Sequence, residues 1–352
     1  MRPVGPCPGT TGQEPSFPHC AFALGLLTDT EVSLPALGTA KFTDPHLTAK
    51  GDRRATVRLD SLDTLWFNTG TLCNIECANC YIESSPTNDR LAYLSLGEVR
   101  TYLNEIADSA LATREIGFTG GEPFMNPELI PMLREVLGRR FEALVLTNAM
   151  QPLQRPAVKS ALLELKAELE ARGNGALDHL TFRVSLDHHR AELHDRERGD
   201  GSWPTAVAGL EWLRDHGFRL NVAGRTCWGE EEAAARVGYA HFFADHDLPI
   251  DANHPGELVL FPEMDESADV PEITVDCWDI LGQSPSDVMC ASSRMVVKRT
   301  GDDRPAVLAC TLLPYDEAFE LGSTLAEADV EVPLNHTHCS KFCVLGGGSC
   351  SA

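Results

Sequence analysis

No run of eighteen apolar residues occurs in the 352-residue chain, and the best early stretch, Cys20 to Leu27, is far too short for a bilayer, so no membrane-spanning helix is expected. Basic residues are scarce: 29 Lys and Arg stand against 52 Asp and Glu, a formal net charge of -23. Neutralising a nucleic-acid backbone or an anionic membrane surface takes a basic stripe, and this composition argues against both partners. The first nineteen residues hold five prolines and one Arg. They lack the apolar segment and small-residue cleavage site of a secretory signal, so the expected location is cytoplasmic. In that reducing setting, twelve cysteines read as metal ligands or reactive thiols rather than disulfides.

Residues 1 to 60 are rich in Pro, Gly and Thr and read as an irregular extension closing with the alternating Ala55 to Leu59. From Leu65 the pattern becomes short apolar runs separated by helices. Strands are expected at Leu65-Trp66-Phe67, Glu115 to Thr119, Ala143 to Thr147, Leu180 to Asp187, Arg219 to Gly224 and Glu257 to Phe261. Between them, Leu129, Met132, Leu133, Val136 and Leu137 share one helical face, as do Val158, Leu162, Leu165 and Leu169. Ala206, Leu210 and Leu213 form a third stripe, with a start signal at Ser202 and Pro204. Alternating strands and helices give an α/β fold of parallel βαβ units over residues 61–276, an open doubly wound sheet or a partial barrel, with functional residues at the carboxyl ends of the strands. After Cys277 the pattern changes to a hairpin, Met295 to Arg299 and Ala306 to Leu308, in a smaller unit, 277–352.

Cys73, Cys77 and Cys80 fall in the loop after the first of these strands. Three thiolates within eight residues can wrap one metal centre while leaving a coordination position open; a zinc site with a distant fourth ligand is the plainer alternative. Thr119-Gly120-Gly121-Glu122-Pro123 follows the second strand, where paired glycines let backbone approach a ligand and Glu122 can accept from an ammonium group; a tight turn with a solvated Glu is the alternative. Asn148 ends the third strand. Ser185 and Asp187 share one face at the end of the fourth, and Asn221 and Arg225 belong to the fifth. Cys290, Cys310, Cys339 and Cys343 bracket the hairpin, with Cys350 just beyond, and four thiolates can fully ligate a second centre; structural zinc is the alternative.

The run Cys73-Asn74-Ile75-Glu76-Cys77-Ala78-Asn79-Cys80-Tyr81 resembles the cluster loop of the radical S-adenosylmethionine (radical SAM) superfamily, with Asn79 where an aromatic or His is common. Gly120 to Pro123 resembles the superfamily's Gly-Gly-Glu-Pro motif, and Thr147-Asn148-Ala149 is similar to its Thr-Asn-Gly. The late cysteines and hairpin resemble the SPASM/twitch auxiliary domain in its one-cluster form. The resemblance implies a partial (β/α)6 TIM-like barrel with a small C-terminal hairpin-containing domain. It also implies a 4Fe-4S cluster on Cys73, Cys77 and Cys80 that binds S-adenosylmethionine, and a second, auxiliary 4Fe-4S cluster. The remaining motifs then contact the cosubstrate: Gly120, Gly121, Glu122 and Pro123 its amino group, Ser185 and Asp187 its ribose, and Arg225 its carboxylate, with Tyr81, Asn148 and Asn221 beside them. The expected activity is an oxidoreductase that cleaves S-adenosylmethionine to a 5'-deoxyadenosyl radical, takes hydrogen from a small molecule or peptide, and oxidises or cross-links it. Flavodoxin or ferredoxin is the expected reductant. An epimerase using Cys227 as hydrogen donor, or a non-catalytic cluster carrier, is the alternative; a packed thiol is the plainer reading of Cys227.

Overall fold

The computed structural model describes residues 40–262, 265 and 268–347. The irregular extension up to residue 39, and Cys350, lie outside the described residues. In chain order the elements are β1 (Thr56–Val57), β2 (Thr64–Asn68), α1 (Leu96–Asp108), β3 (Glu115–Thr119), α2 (Leu129–Gly138), β4 (Glu142–Thr147), α3 (Gln151–Gln154), α4 (Pro156–Arg172), β5 (Leu180–Ser185), α5 (Ala191–Arg198), α6 (Ser202–Asp215), β6 (Arg219–Arg225), α7 (Glu232–Asp245) and β7 (Leu258–Phe261). The C-terminal part adds α8 (Cys277–Leu281), β8 (Ser293–Val297), β9 (Ala306–Leu308), β10 (Glu320–Gly322), β11 (Val332–Pro333) and a π-helix, Cys339–Val344.

One nine-stranded sheet runs β10-β9-β8-β2-β3-β4-β5-β6-β7. Strands β2 to β7 are parallel and in sequence order. Among the described residues the sheet does not close, and β2 to β7 run without the reversal of order that marks a doubly wound sheet, which leaves the partial barrel. The central strands β2, β3 and β8 are buried on both faces along almost their whole length. Leu65, Phe67, Ile116, Phe118, Val145, Phe182, Val184 and Val222 pack outward against the helices. Trp66 and Leu144 point the other way and share a second core with Met295 and Val297. Gly117 makes room for that layer, since a Cβ there would lie 2.3 Å from the Trp66 ring.

The hairpin is present, β8 pairing antiparallel with β9 around the Gly301 turn. Strand β8 also pairs in parallel with β2, so the C-terminal residues extend the same sheet. Lys298 donates to Glu98 at 2.5 Å, and Glu98 closes the capping box of α1 with Ser95. The stripes expected for α2, α4 and α6 are buried. The start of α6 differs: Gly201 is the cap residue, and Asp195 from α5 accepts from Gly201 N, Trp203 N and Ser202 Oγ.

Candidate active site

The loops after β2 and β3 are zipped together by backbone. Gly121 N donates to Gly70 O at 2.9 Å and Glu122 N to Leu72 O at 3.2 Å. A Cβ on Gly120, whose φ is +136°, would stand 2.5 Å from Gly70 O, and one on Gly121 2.3 Å from Leu72 O. The paired glycines are therefore required first by the cysteine loop itself, and only then by any ligand.

Glu122 is buried, with both oxygens engaged inside the protein. Oε1 accepts from Thr147 Oγ1 at 2.8 Å and Phe124 N at 3.2 Å, and Oε2 from Asn148 N at 2.8 Å. Burial pushes its pKa up to about 7, with those donors opposing. Glu122 thus ties the end of β4 to the turn after β3. Asn148 Nδ2 in turn donates to Asn74 Oδ1 at 2.9 Å and faces Cys73 Sγ at 3.8 Å. Ala149 takes a φ of +56°, which accounts for a glycine being the easier residue there.

A cavity of about 160 Å³ opens at the carboxyl ends of the strands. Its wall brings together Cys73, Cys77 and Cys80 with Gly120, Gly121 and Asn148, then Ser185, Asp187 and Arg225, and also Tyr81. Glu122, Pro123, Asn221 and Cys227 are not in that wall; Cys227 is 2% exposed. Burial pushes the Cys73 thiol up to about 11 and the Cys77 thiol up to about 12, with Arg198 pulling both down.

Two residues absent from the sequence reading organise this wall. Glu197, in the last turn of α5, accepts from Asn79 N at 3.0 Å and Asn79 Nδ2 at 2.9 Å, and pairs with Arg225. Asn79, the departure from the usual loop, is thereby the residue that docks the loop on α5. Arg198 donates twice to Asp187, at 2.6 and 3.1 Å. The sequence offered only a spacing: His194, Glu197 and Arg198 fall at i, i+3 and i+4 on one face of α5, and that this polar face is turned inward is seen only in the structure.

The second cysteine group also converges. Cys290, Cys310, Cys339 and Cys343 line a smaller cavity of about 20 Å³, with Cys339 and Cys343 on the π-helix. Burial pushes Cys290 up to about 11 and Cys339 up to about 12. Leu312 belongs to the walls of both cavities. Cys277 is a packed thiol beside Thr274.

Tetrahedral zinc with bonds of about 2.3 Å needs sulfurs about 3.8 Å apart. Among the described residues, the group of three such ligand atoms lying within 4.8 Å of one another is His188, His189 and Glu230, and contains no cysteine. The wider thiol sets suit a cluster, whose irons set the sulfurs further apart than one ion does. The histidine group is no better as a metal site. Arg190 N donates to His188 Nδ1 at 3.0 Å, so the ring proton sits on Nε2 and is directed at Glu230 at 2.5 Å.

Residues 67–233 match the family model of the Radical SAM superfamily, and the chain carries a radical SAM domain. Within that class, the chain is 31% identical over 170 residues to AlbA, the antilisterial bacteriocin subtilosin biosynthesis protein of Bacillus subtilis (47% of this chain, 34% of that protein). It is 26% identical over 160 residues to the mycofactocin maturase MftC of Mycolicibacterium smegmatis (46% and 36%). The matched stretch thus spans about a third of each relative. In fold, the chain is similar to Streptococcus suis SuiB bound to S-adenosylmethionine, with a TM-score of 0.52 and 11% identity over 75% of this chain and 63% of that one. No helix among the described residues is long and apolar enough to cross a membrane.

Proposed function

We propose that the chain is a two-cluster radical SAM enzyme of the SPASM/twitch kind that removes hydrogen from a peptide and oxidises or cross-links it. The observation that carries this is the pair of thiol-lined cavities, three cysteines in one and four in the other, with Leu312 in both walls. Three cysteines in the larger cavity, with no fourth thiol in its wall among the described residues, suit a cluster with one iron left for S-adenosylmethionine. When bound, that 4Fe-4S group supplies one electron to cleave the cosubstrate into methionine and a 5'-deoxyadenosyl radical. Cys290, Cys310, Cys339 and Cys343 would hold the auxiliary 4Fe-4S cluster, an acceptor for the electron the substrate gives up.

The chain's own residues bind and orient. Gly120, Gly121, Asn148, Ser185, Asp187, Arg225 and Tyr81 line the space open to the cosubstrate. Glu122 positions Asn148 rather than reaching the cavity, and Arg225 meets an incoming carboxylate already paired with Glu197. Residues 61–276 form the catalytic unit and 277–352 the auxiliary one, with flavodoxin or ferredoxin as the class of reductant. A peptide is preferred to a small molecule because the named roles of AlbA and MftC are bacteriocin biosynthesis and maturation. Epimerisation through Cys227 has less support, since that thiol is buried outside the cavity wall.

Anaerobically reconstituted protein with dithionite is expected to convert S-adenosylmethionine to 5'-deoxyadenosine, and Cys77→Ala to abolish it. Undiminished turnover in that variant sinks the assignment. Iron analysis separates the clusters: about eight irons per chain, and about four after Cys73, Cys77 and Cys80 are all replaced by Ala.

A further inference from the structure

Helix α5 is docked on the cysteine loop between its second and third thiols. Glu197 O accepts from Ala78 N at 2.8 Å, and its carboxylate takes both Asn79 donors. The next residue, Arg198, shares a cavity wall with Cys73, Cys77 and Cys80. Its guanidinium is held in a two-point bond to Asp187, the two side chains being 13% and 5% exposed. A buried arginine fixed this way cannot swing to solvent. Three arginines line that wall, Arg183, Arg198 and Arg225, and they are not equivalent. Arg225 is turned to Glu197 and Arg183 donates to Gly256 O, whereas Arg198 is held by Asp187 in the wall it shares with Cys73, Cys77 and Cys80.

The geometry points to Arg198 as a positioning residue that raises the reduction potential of the cluster on Cys73, Cys77 and Cys80, with Asp187 as its tethering counter-charge. This rests on the cluster assignment proposed above. Reduction by an external one-electron donor adds one negative charge to a centre that already carries three thiolates. In a water-poor interior a fixed cation beside the centre stabilises that added charge, and a fixed anion behind the cation diminishes the effect. Removing Arg198 and removing Asp187 must therefore move the potential in opposite directions. A role confined to packing has no such signature.

The test is a redox titration of the reconstituted 352-residue chain without S-adenosylmethionine, following by electron paramagnetic resonance the reduced-cluster signal that Cys77→Ala lacks. Arg198→Gln is expected to lower the ratio of reduced to oxidised cluster at fixed potential at least tenfold, about 59 mV for a one-electron couple. Arg198→Lys, which keeps the charge, is expected to lose less than half of that, and Asp187→Asn to move the midpoint upward. A midpoint unchanged in Arg198→Gln overturns the inference, as do shifts of the same sign in Arg198→Gln and Asp187→Asn. Equal loss of iron from Arg198→Gln and Arg198→Lys also overturns it, because that marks a purely structural residue. Should Cys77→Ala lack no signal, the cluster assignment fails first, and visibly so.

Discussion

His194 is fully buried with neither ring nitrogen hydrogen-bonded, and burial, aided by Arg198, pushes its pKa down to about 4. The unfolded side chain titrates near 6.5, so the folded state binds fewer protons between the two values. The stability is present above pH 6.5 and is lost as pH falls toward 4, up to about 3 kcal/mol. The melting temperature is expected to drop over that window, and His194→Leu to show a shallower fall in the same thermal scan. Gly121 gives a second test at this scale. Gly121→Ala drives a Cβ into Leu72 O and is expected to cost about 1–3 kcal/mol in denaturant unfolding. Gly138→Ala, in α2 with open space around it, should be neutral or stabilising by up to about 1 kcal/mol. Equal effects at both positions would refute the idea that the zipped loops demand glycine.

Among the elements, α5 is decisive and was the least legible. The parallel strands announced themselves because burial on both faces makes short apolar runs, and α2 and α6 because one face is apolar at helical spacing. Helix α5 has eight residues and no apolar stripe; it is held by polar contacts, some to nearby residues and some to partners far along the chain. Its exchange of hydrogen bonds with Asn79 crosses 118 residues. Glu197→Ala removes the carboxylate from the buried Arg225 and both acceptors from Asn79, and is expected to destabilise the fold by about 3 kcal/mol or more. Chemical denaturation checks this; a change below about 1 kcal/mol would mean that α5 does not secure the loop.

For the whole molecule, the consequential feature is that β8 sits against β2. A chain ending at residue 276 would strip one of the two parallel partners from β2 and expose Trp66 and Leu144, whose second core lies mostly beyond that point. That truncation is expected to aggregate or unfold, judged by solubility and circular dichroism. A soluble, cooperatively melting 1–276 fragment would show that the two parts fold independently.

The sequence by itself determined the thiol triplet, the succession of strands along the chain and the family resemblance, because ligand spacing and apolar periodicity are properties of short stretches of chain. It also located the four late cysteines, although not that they meet around one small cavity sharing Leu312 with the first. Tertiary structure decided the polar pairings. Glu122 serves Thr147 and Asn148, Arg225 goes to Glu197, and Asp187 holds Arg198. A buried charge takes whichever opposite charge the fold brings within hydrogen-bond reach, and that proximity has no local pattern to read.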